Sequence, residues 1–324
     1  MIRLALRQFR TEAAIGIGLL AALAIVLGIT GPHLAQVSDA FQSACKPAGD
    51  CATAQNPAFE IDLPLRAFLP FIGTVAPALM GLFFGAPLIA RELETGTFHL
   101  AWTQSVTRRR WLAVKLALVG SVAMLIGGLL TWMIDWWMSP IDAANQDRFD
   151  IANFGIHGVA PVGYAAFAVA LGTMVGLLLR RTVPAMAATL AGFVAARLVV
   201  GYWIRPHLAA PLHKSLPLAL SVSASTGNSS IGAGSTIPNG WVLSTSAVDK
   251  AGHAITTQSL IDRCHPTVPP SPAFHSCLSN FHTLVTYQAG SRFWPFQWAE
   301  LGIFLAAAIA LCGFTYWWLR RQYA

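Results

Sequence analysis

Apolar positions in this chain gather into six long blocks: Ala13–Thr30, Ala67–Ala90, Trp111–Met138, Val159–Leu179, Val183–Ile204 and Trp298–Trp318. None alternates with period two, and each approaches the ~20 residues that a helix needs to cross the hydrocarbon of a bilayer. The pattern predicts an all-α integral membrane protein with six transmembrane helices in a single membrane domain over residues 1–324. The first block is the shortest, at 18 residues, and follows a basic stretch. A signal peptide's apolar region runs to only ~7–15 residues, so a retained span is expected. Before it, Ile2, Leu6 and Phe9 share one helical face and Arg3, Arg7 and Arg10 another, which predicts an interfacial helix over residues 1–12.

Between blocks two and three lies RELETGTFHLAWTQSVTRRRWLAVK, from Arg91 to Lys115. Thr95-Gly96-Thr97 can stop a helix, because Gly adopts positive φ without penalty. Phe98, Leu100 and Trp102 form a short amphipathic patch, and Thr107 is placed to cap the next helix. Arg108, Arg109 and Arg110 stand in that helix's first turn, where the macrodipole disfavours cations. A cytoplasmic membrane face accounts for them. Two readings follow: a loop that grips a soluble partner, or one that merely orients the protein.

Composition agrees with the membrane class. Hydrophobic residues make up 55% of the chain and charged ones 11%, and mean hydropathy is +0.56; a soluble domain carries about a quarter charged residues. Charge then fixes the expected orientation. Segments 1–12, 91–110, 180–182 and 319–324 hold 11 Lys or Arg in 41 residues, whereas the alternate loops hold eight in 149. Both termini and the Arg91 loop are therefore expected in the cytoplasm. The net +7 comes from that inner face. It reads as topology and anionic-lipid contact, with no nucleic-acid partner. Ten of the eleven Trp lie near predicted span ends, Trp241 excepted.

Several residues carry candidate roles. Arg197 lies inside the fifth block, where a cation is functional by default. Asp135 and Glu300, near the outer ends of blocks three and six, are candidate partners in an intramembrane ion pair or a substrate path, unless each snorkels to the interface. Arg205, just beyond the fifth block, is expected to be dispensable. Gly81/Gly85 and Gly172/Gly176 form small-xxx-small faces, for packing within the chain or for a dimer seam. Pro70, Pro77 and Pro87 predict kinks in the second span. Arg180-Arg181-Thr182 is a tight hairpin.

Residues 205–297 form an extracellular cap in which no second soluble domain is evident. Cys45 and Cys51 fall in the first outer loop, Cys264 and Cys277 in the last, and no cysteine in an inner one. That distribution suits disulfides in an oxidising exterior. Local pairs, Cys45–Cys51 and Cys264–Cys277, close the shortest loops, with cross-loop pairing open. Zinc held by Cys264, His265, His275 and Cys277 is a weaker alternative, and no metal site is assigned. Each of the four lysines (46, 115, 214 and 250) lacks a preceding Gly, so there is no Walker A loop.

The run Pro87-Leu88-Ile89-Ala90-Arg91-Glu92-Leu93-Glu94-Thr95-Gly96-Thr97, then Gln104-Ser105-Val106-Thr107-Arg108 and Lys115, resembles the signature of ABC-2 type export permeases. Tyr287–Trp298 and Arg180–Pro184 are similar to the actinobacterial branch. Ser105 stands where Pro is common, and Arg91–Glu94 is a variant of the acidic element. The resemblance covers the whole chain and implies an N-terminal elbow helix, a cytoplasmic coupling helix between spans two and three, and a large extracellular loop between spans five and six. It implies that Arg91, Glu92, Glu94, Gly96, Thr97, Phe98, Trp102 and Arg108 contact an ABC ATPase subunit, and that a second permease copy completes a homodimer. No cofactor would then sit in this chain; ATP and Mg would belong to the partner. Export of an amphipathic drug, lipid or peptide is the implied function. The alternative is a membrane sensor or immunity-type protein whose outer loop binds a ligand without transport. A lipid-acting enzyme lacks a nucleophile and base together.

Overall fold

The computed structural model describes residues 2–45, 63–96, 108–145, 149, 151–222, 229–233, 237, 239–264 and 272–322. The chain divides into two compact units, one formed by residues 1–145, 150–205 and 294–324 and the other by 146–149 and 206–293.

The first unit holds the spans. Six helices are long and apolar enough to cross a membrane: Ala14–Phe41, Pro64–Thr95, Arg110–Ile141, Ala160–Leu179, Thr182–His207 and Gly290–Arg321. The first lies within α1 (Ile2–Cys45). Residues 2–12 continue into it without a break, since the sequence offers no Gly or Pro before Gly16. The expected interfacial helix is thus not set off from the first span.

The second span is α2 (Leu63–Met80), a π turn over Gly81–Gly85, and α3 (Pro87–Thr95). Ala86 N donates to Gly81 O at 2.9 Å across the π turn, and Pro87 opens α3, where its missing N–H costs nothing. This widened turn faces the fourth span, α6 (Ala160–Leu179). A Cβ on Gly172 would lie 2.5 Å from Gly81 O and 2.6 Å from Ala86 N; one on Gly176 would lie 2.5 Å from Ala86 O. The two small-residue motifs therefore meet each other inside one chain, backbone against backbone.

Around α6 pack α2, α3, α4 (Arg108–Asn145) and α7 (Thr182–Val199). A short α5 (Ile151–Phe154) precedes α6. The last span, α10 (Phe293–Gln322), joins the core through Phe304, which meets Tyr164 and Phe167 edge-on at 4.8 and 5.2 Å. Arg180, at φ 54°, turns the chain sharply between α6 and α7, as its three-residue hairpin requires.

The second unit corrects the all-α expectation. It contains a five-stranded antiparallel sheet in the order β2-β1-β5-β3-β4, built from β1 (Leu212–Val222), β2 (Ser229–Ala233), β3 (Trp241–Asp249), β4 (Ala254–Ile255) and β5 (Phe281–Gln288). In β5, Phe281, Thr283 and Val285 are buried while the residues between them are half-exposed, the period of a strand with one covered face. Helices α8 (Thr257–Cys264) and α9 (Pro272–Leu278) supply that cover through Leu260, Phe274 and Leu278, packed with Leu218 and Phe281. The Cys264–Cys277 disulfide joins the two helices, with Cα atoms 5.6 Å apart. Cys45 ends α1, its side chain not described, and Cys51 lies outside the described residues.

Candidate functional site

The spanning unit carries two polar clusters, one at each end of α7. At the end shared with α3, Gly96 takes φ 71° and closes that helix. Arg91 is exposed just before it, and Thr95 Oγ1 donates to Arg91 O at 2.8 Å. Glu92 forms an ion pair with Lys115 of α4. Lys115 is itself buried, its ammonium 4.6 Å above the Trp111 ring. Glu94 reaches α7 instead: Thr182 donates its backbone N–H (3.0 Å) and its hydroxyl (2.7 Å) to Oε2. One carboxylate thus ties α3 to the third span, the other caps the fifth. Beneath them Ile89, Trp111, Leu112, Leu177 and Leu319 form an apolar floor. Thr97, Phe98 and Trp102 lie outside the described residues, and Arg108 begins α4, its side chain not described.

The other cluster is centred on Glu300, 0% exposed. Past Val199 the helix widens into a π turn over Val200–Ile204 and then tightens over Arg205–His207. Eight residues after Arg197, this brings Arg205 to the same carboxylate. Arg205 donates from Nε to Glu300 Oε2 at 2.9 Å and from Nη2 to Oε1 at 3.1 Å. Tyr164 donates its hydroxyl to Oε1 at 2.6 Å. Arg197 Nη1 stands 3.6 Å from Oε1, an ion pair at longer range. Each guanidinium also lies over an aromatic face, Arg197 on Tyr164 at 3.7 Å and Arg205 on Phe154 at 4.0 Å.

Asp135 does not join this pair. Its Oδ1 is 2.5 Å from His157 Nδ1, and Gly158 N donates to Oδ2 at 3.1 Å. Gln297 clamps the same connection before α6: its Nε2 donates to Phe154 O at 3.0 Å and its Oε1 accepts from Ala160 N at 2.9 Å.

Of the residues singled out in the sequence, Arg197 and Glu300 come together, and Asp135 is separately engaged. Sequence reasoning missed Arg205, and the expectation that it is dispensable does not fit a side chain 1% exposed with two hydrogen bonds to a buried carboxylate. A signal existed: residues eight apart return to one helical face. The partners Tyr164 and Gln297 had no such signal, being a neutral phenol and amide in apolar runs.

Residues 17–205, more than half of the chain, match the ABC-2 membrane transporter related family. No curated protein matches it. The match spans five of the six helices, the Gly81–Gly85 turn and the α3 terminus with Glu92 and Glu94, and such a family implies membrane embedding and an ATPase partner. The chain belongs to the ABC-2 membrane transporter related family and is a multi-pass membrane protein.

Proposed function

We propose that the chain is the permease subunit of an ATP-driven exporter of amphipathic substrates, paired with a second copy and driven by separate ATPase subunits. Both termini and the Arg91 loop face the cytoplasm in this reading, and residues 206–293 face outward. What supports it most is the anchoring of the α3 terminus, where Glu92 is held by Lys115 and Glu94 by Thr182. A push on the segment between Gly96 and Arg108 reaches the second, third and fifth spans together, because two carboxylates of one helix turn bind two other helices. Phe98 and Trp102, four residues apart in the sequence, are the anchors for the ATPase in this reading. ATP and Mg belong to the ATPase, and this chain performs no hydrolysis itself.

Coexpression with an ATPase subunit tests the assignment. Phe98→Ala and Trp102→Ala are expected to weaken its capture about thirtyfold, the effect of losing ~2 kcal/mol at an interface. Glu94→Gln is expected to leave capture intact and to lower substrate-stimulated ATP turnover, since its carboxylate binds Thr182. Normal capture and turnover in all three variants would mean that the loop only orients the protein. ATP hydrolysis by the purified chain alone would overturn the division of labour.

The second reading, a sensor that does not transport, draws on the folded, disulfide-tied unit over residues 206–293. It requires no ATPase, so stable copurification with one separates the two.

A further inference from the structure

Glu300 is the one carboxylate within ion-pair distance of Arg197 and of Arg205 among the described residues. Two guanidinium cations therefore share one carboxylate, and Tyr164 adds no charge because its phenol is the donor to Oε1. The four-residue cluster carries a net charge of +1 in a buried setting.

The hydrogen bonds show where the surplus falls. Glu300 Oε1 already receives Arg205 Nη2 and Tyr164 Oη, so Arg197 Nη1 is left at 3.6 Å, beyond hydrogen-bond length. Arg197 Nη1 and Arg205 Nη1 are both buried without any hydrogen-bond partner. Asp135 supplies no second negative charge here, being engaged by His157 and the Gly158 amide. Gly155 leaves room for the guanidinium, since a Cβ there would lie 3.1 Å from Arg197 Cζ. Buried donors are nearly always satisfied, and a buried charge is paired or neutralised. An arginine cannot escape by losing its proton.

We propose that Arg197 and Arg205 bind one anionic oxygen-bearing group, a carboxylate or phosphate, through their two unused Nη1 atoms. Arg205 is fixed to Glu300 and positions the site. Arg197 is the more accessible of the two, its side chain 13% exposed against 1%, and is the side of entry. Guanidinium planes match carboxylate and phosphate oxygens, which favours such a group over a halide. The surplus charge and the unpartnered donors are present whether or not the chain exports anything.

Binding to the purified chain tests it, in a neutral detergent and low-salt buffer. Acetate, inorganic phosphate and dodecanoate are titrated by calorimetry, with thermal unfolding followed in parallel. Saturable binding of at least one probe, with stabilisation, is expected. It is expected to weaken about tenfold or more in Arg197→Gln, the effect of losing a charged hydrogen bond. Glu300→Gln removes the competing internal anion and is expected to bind about tenfold more tightly than the parent. A merely structural ion pair predicts lower stability in both variants with no anion dependence. Equal binding by acetate and dodecanoate identifies a small free anion as the ligand; binding of dodecanoate alone identifies an amphiphile's headgroup. No saturable binding in the parent, or binding unchanged in Arg197→Gln, overturns the proposal. If Arg197→Gln does not fold, Arg197→Lys, which keeps the charge and loses the planar guanidinium, decides, and binding unchanged from the parent's then overturns it.

Discussion

Arg205 and Glu300 form a two-point ion pair, Nε to Oε2 at 2.9 Å and Nη2 to Oε1 at 3.1 Å, with both side chains 1% exposed. The pair joins the tight turn beyond α7 to α10, 95 positions further along the chain. Removing one partner of a buried pair leaves a desolvated charge and costs about 3–5 kcal/mol, whereas replacing both with apolar residues is often neutral. Arg205→Ala is therefore expected to lower the unfolding temperature of the detergent-solubilised chain more than Arg197→Ala does. Parental unfolding of Arg205→Ala would show that the pair contributes nothing.

The contact of the π turn with α6 makes a second prediction. Gly172→Ala places a methyl 2.5 Å from Gly81 O, and overpacking of this kind costs about 1–3 kcal/mol. A methyl at Gly302 or Gly313 would meet nothing within 4 Å, so Ala at either should not destabilise the isolated chain and should stabilise it slightly through its better helix propensity. Equal effects at Gly172 and Gly302 would contradict the packing described.

The second unit is expected to depend on its disulfide. Non-reducing peptide mapping should recover Cys264 and Cys277 in one linked pair. Closing a loop of this size contributes about 3 kcal/mol in the chain-entropy account. Cys264→Ser with Cys277→Ser is therefore expected to expose residues 206–293 to proteolysis while the spans survive. Free thiols at both positions in the native protein would refute the assignment.

The β3–β4 turn should respond to acid. Asp249 accepts the backbone N–H groups of His253 and Ala251, both at 2.9 Å, and these hydrogen bonds, His253 first, hold its carboxyl below the usual carboxylate range. A depressed folded-state pKa stabilises the turn above the unfolded value, and that contribution is lost as pH falls through the folded value. Amide exchange at residues 251 and 253, corrected for intrinsic rates, should lose protection on acidification below about pH 4. Asp249→Asn should remove the pH dependence. Unchanged protection in the parent would show that the carboxylate does not hold the turn.

How much of this was legible follows from where each signal resides. Six apolar blocks specify six spans because hydrocarbon accepts no unpaired backbone, and that constraint acts on local sequence alone. Thr95-Gly96 at the end of α3, the turn at Arg180 and the local cysteine pair are short-range signals of the same kind. The sheet over residues 212–288 was hidden because its strands are half-polar and rich in Ser and Thr, and β1 pairs with β5 across more than 60 residues. Only the tertiary structure decided that Glu300 serves Arg205 and Arg197 while Asp135 serves His157. Other pairings were equally open to charge alone, and these three depend on where the π turn after Val199 and the bend before α6 place each side chain.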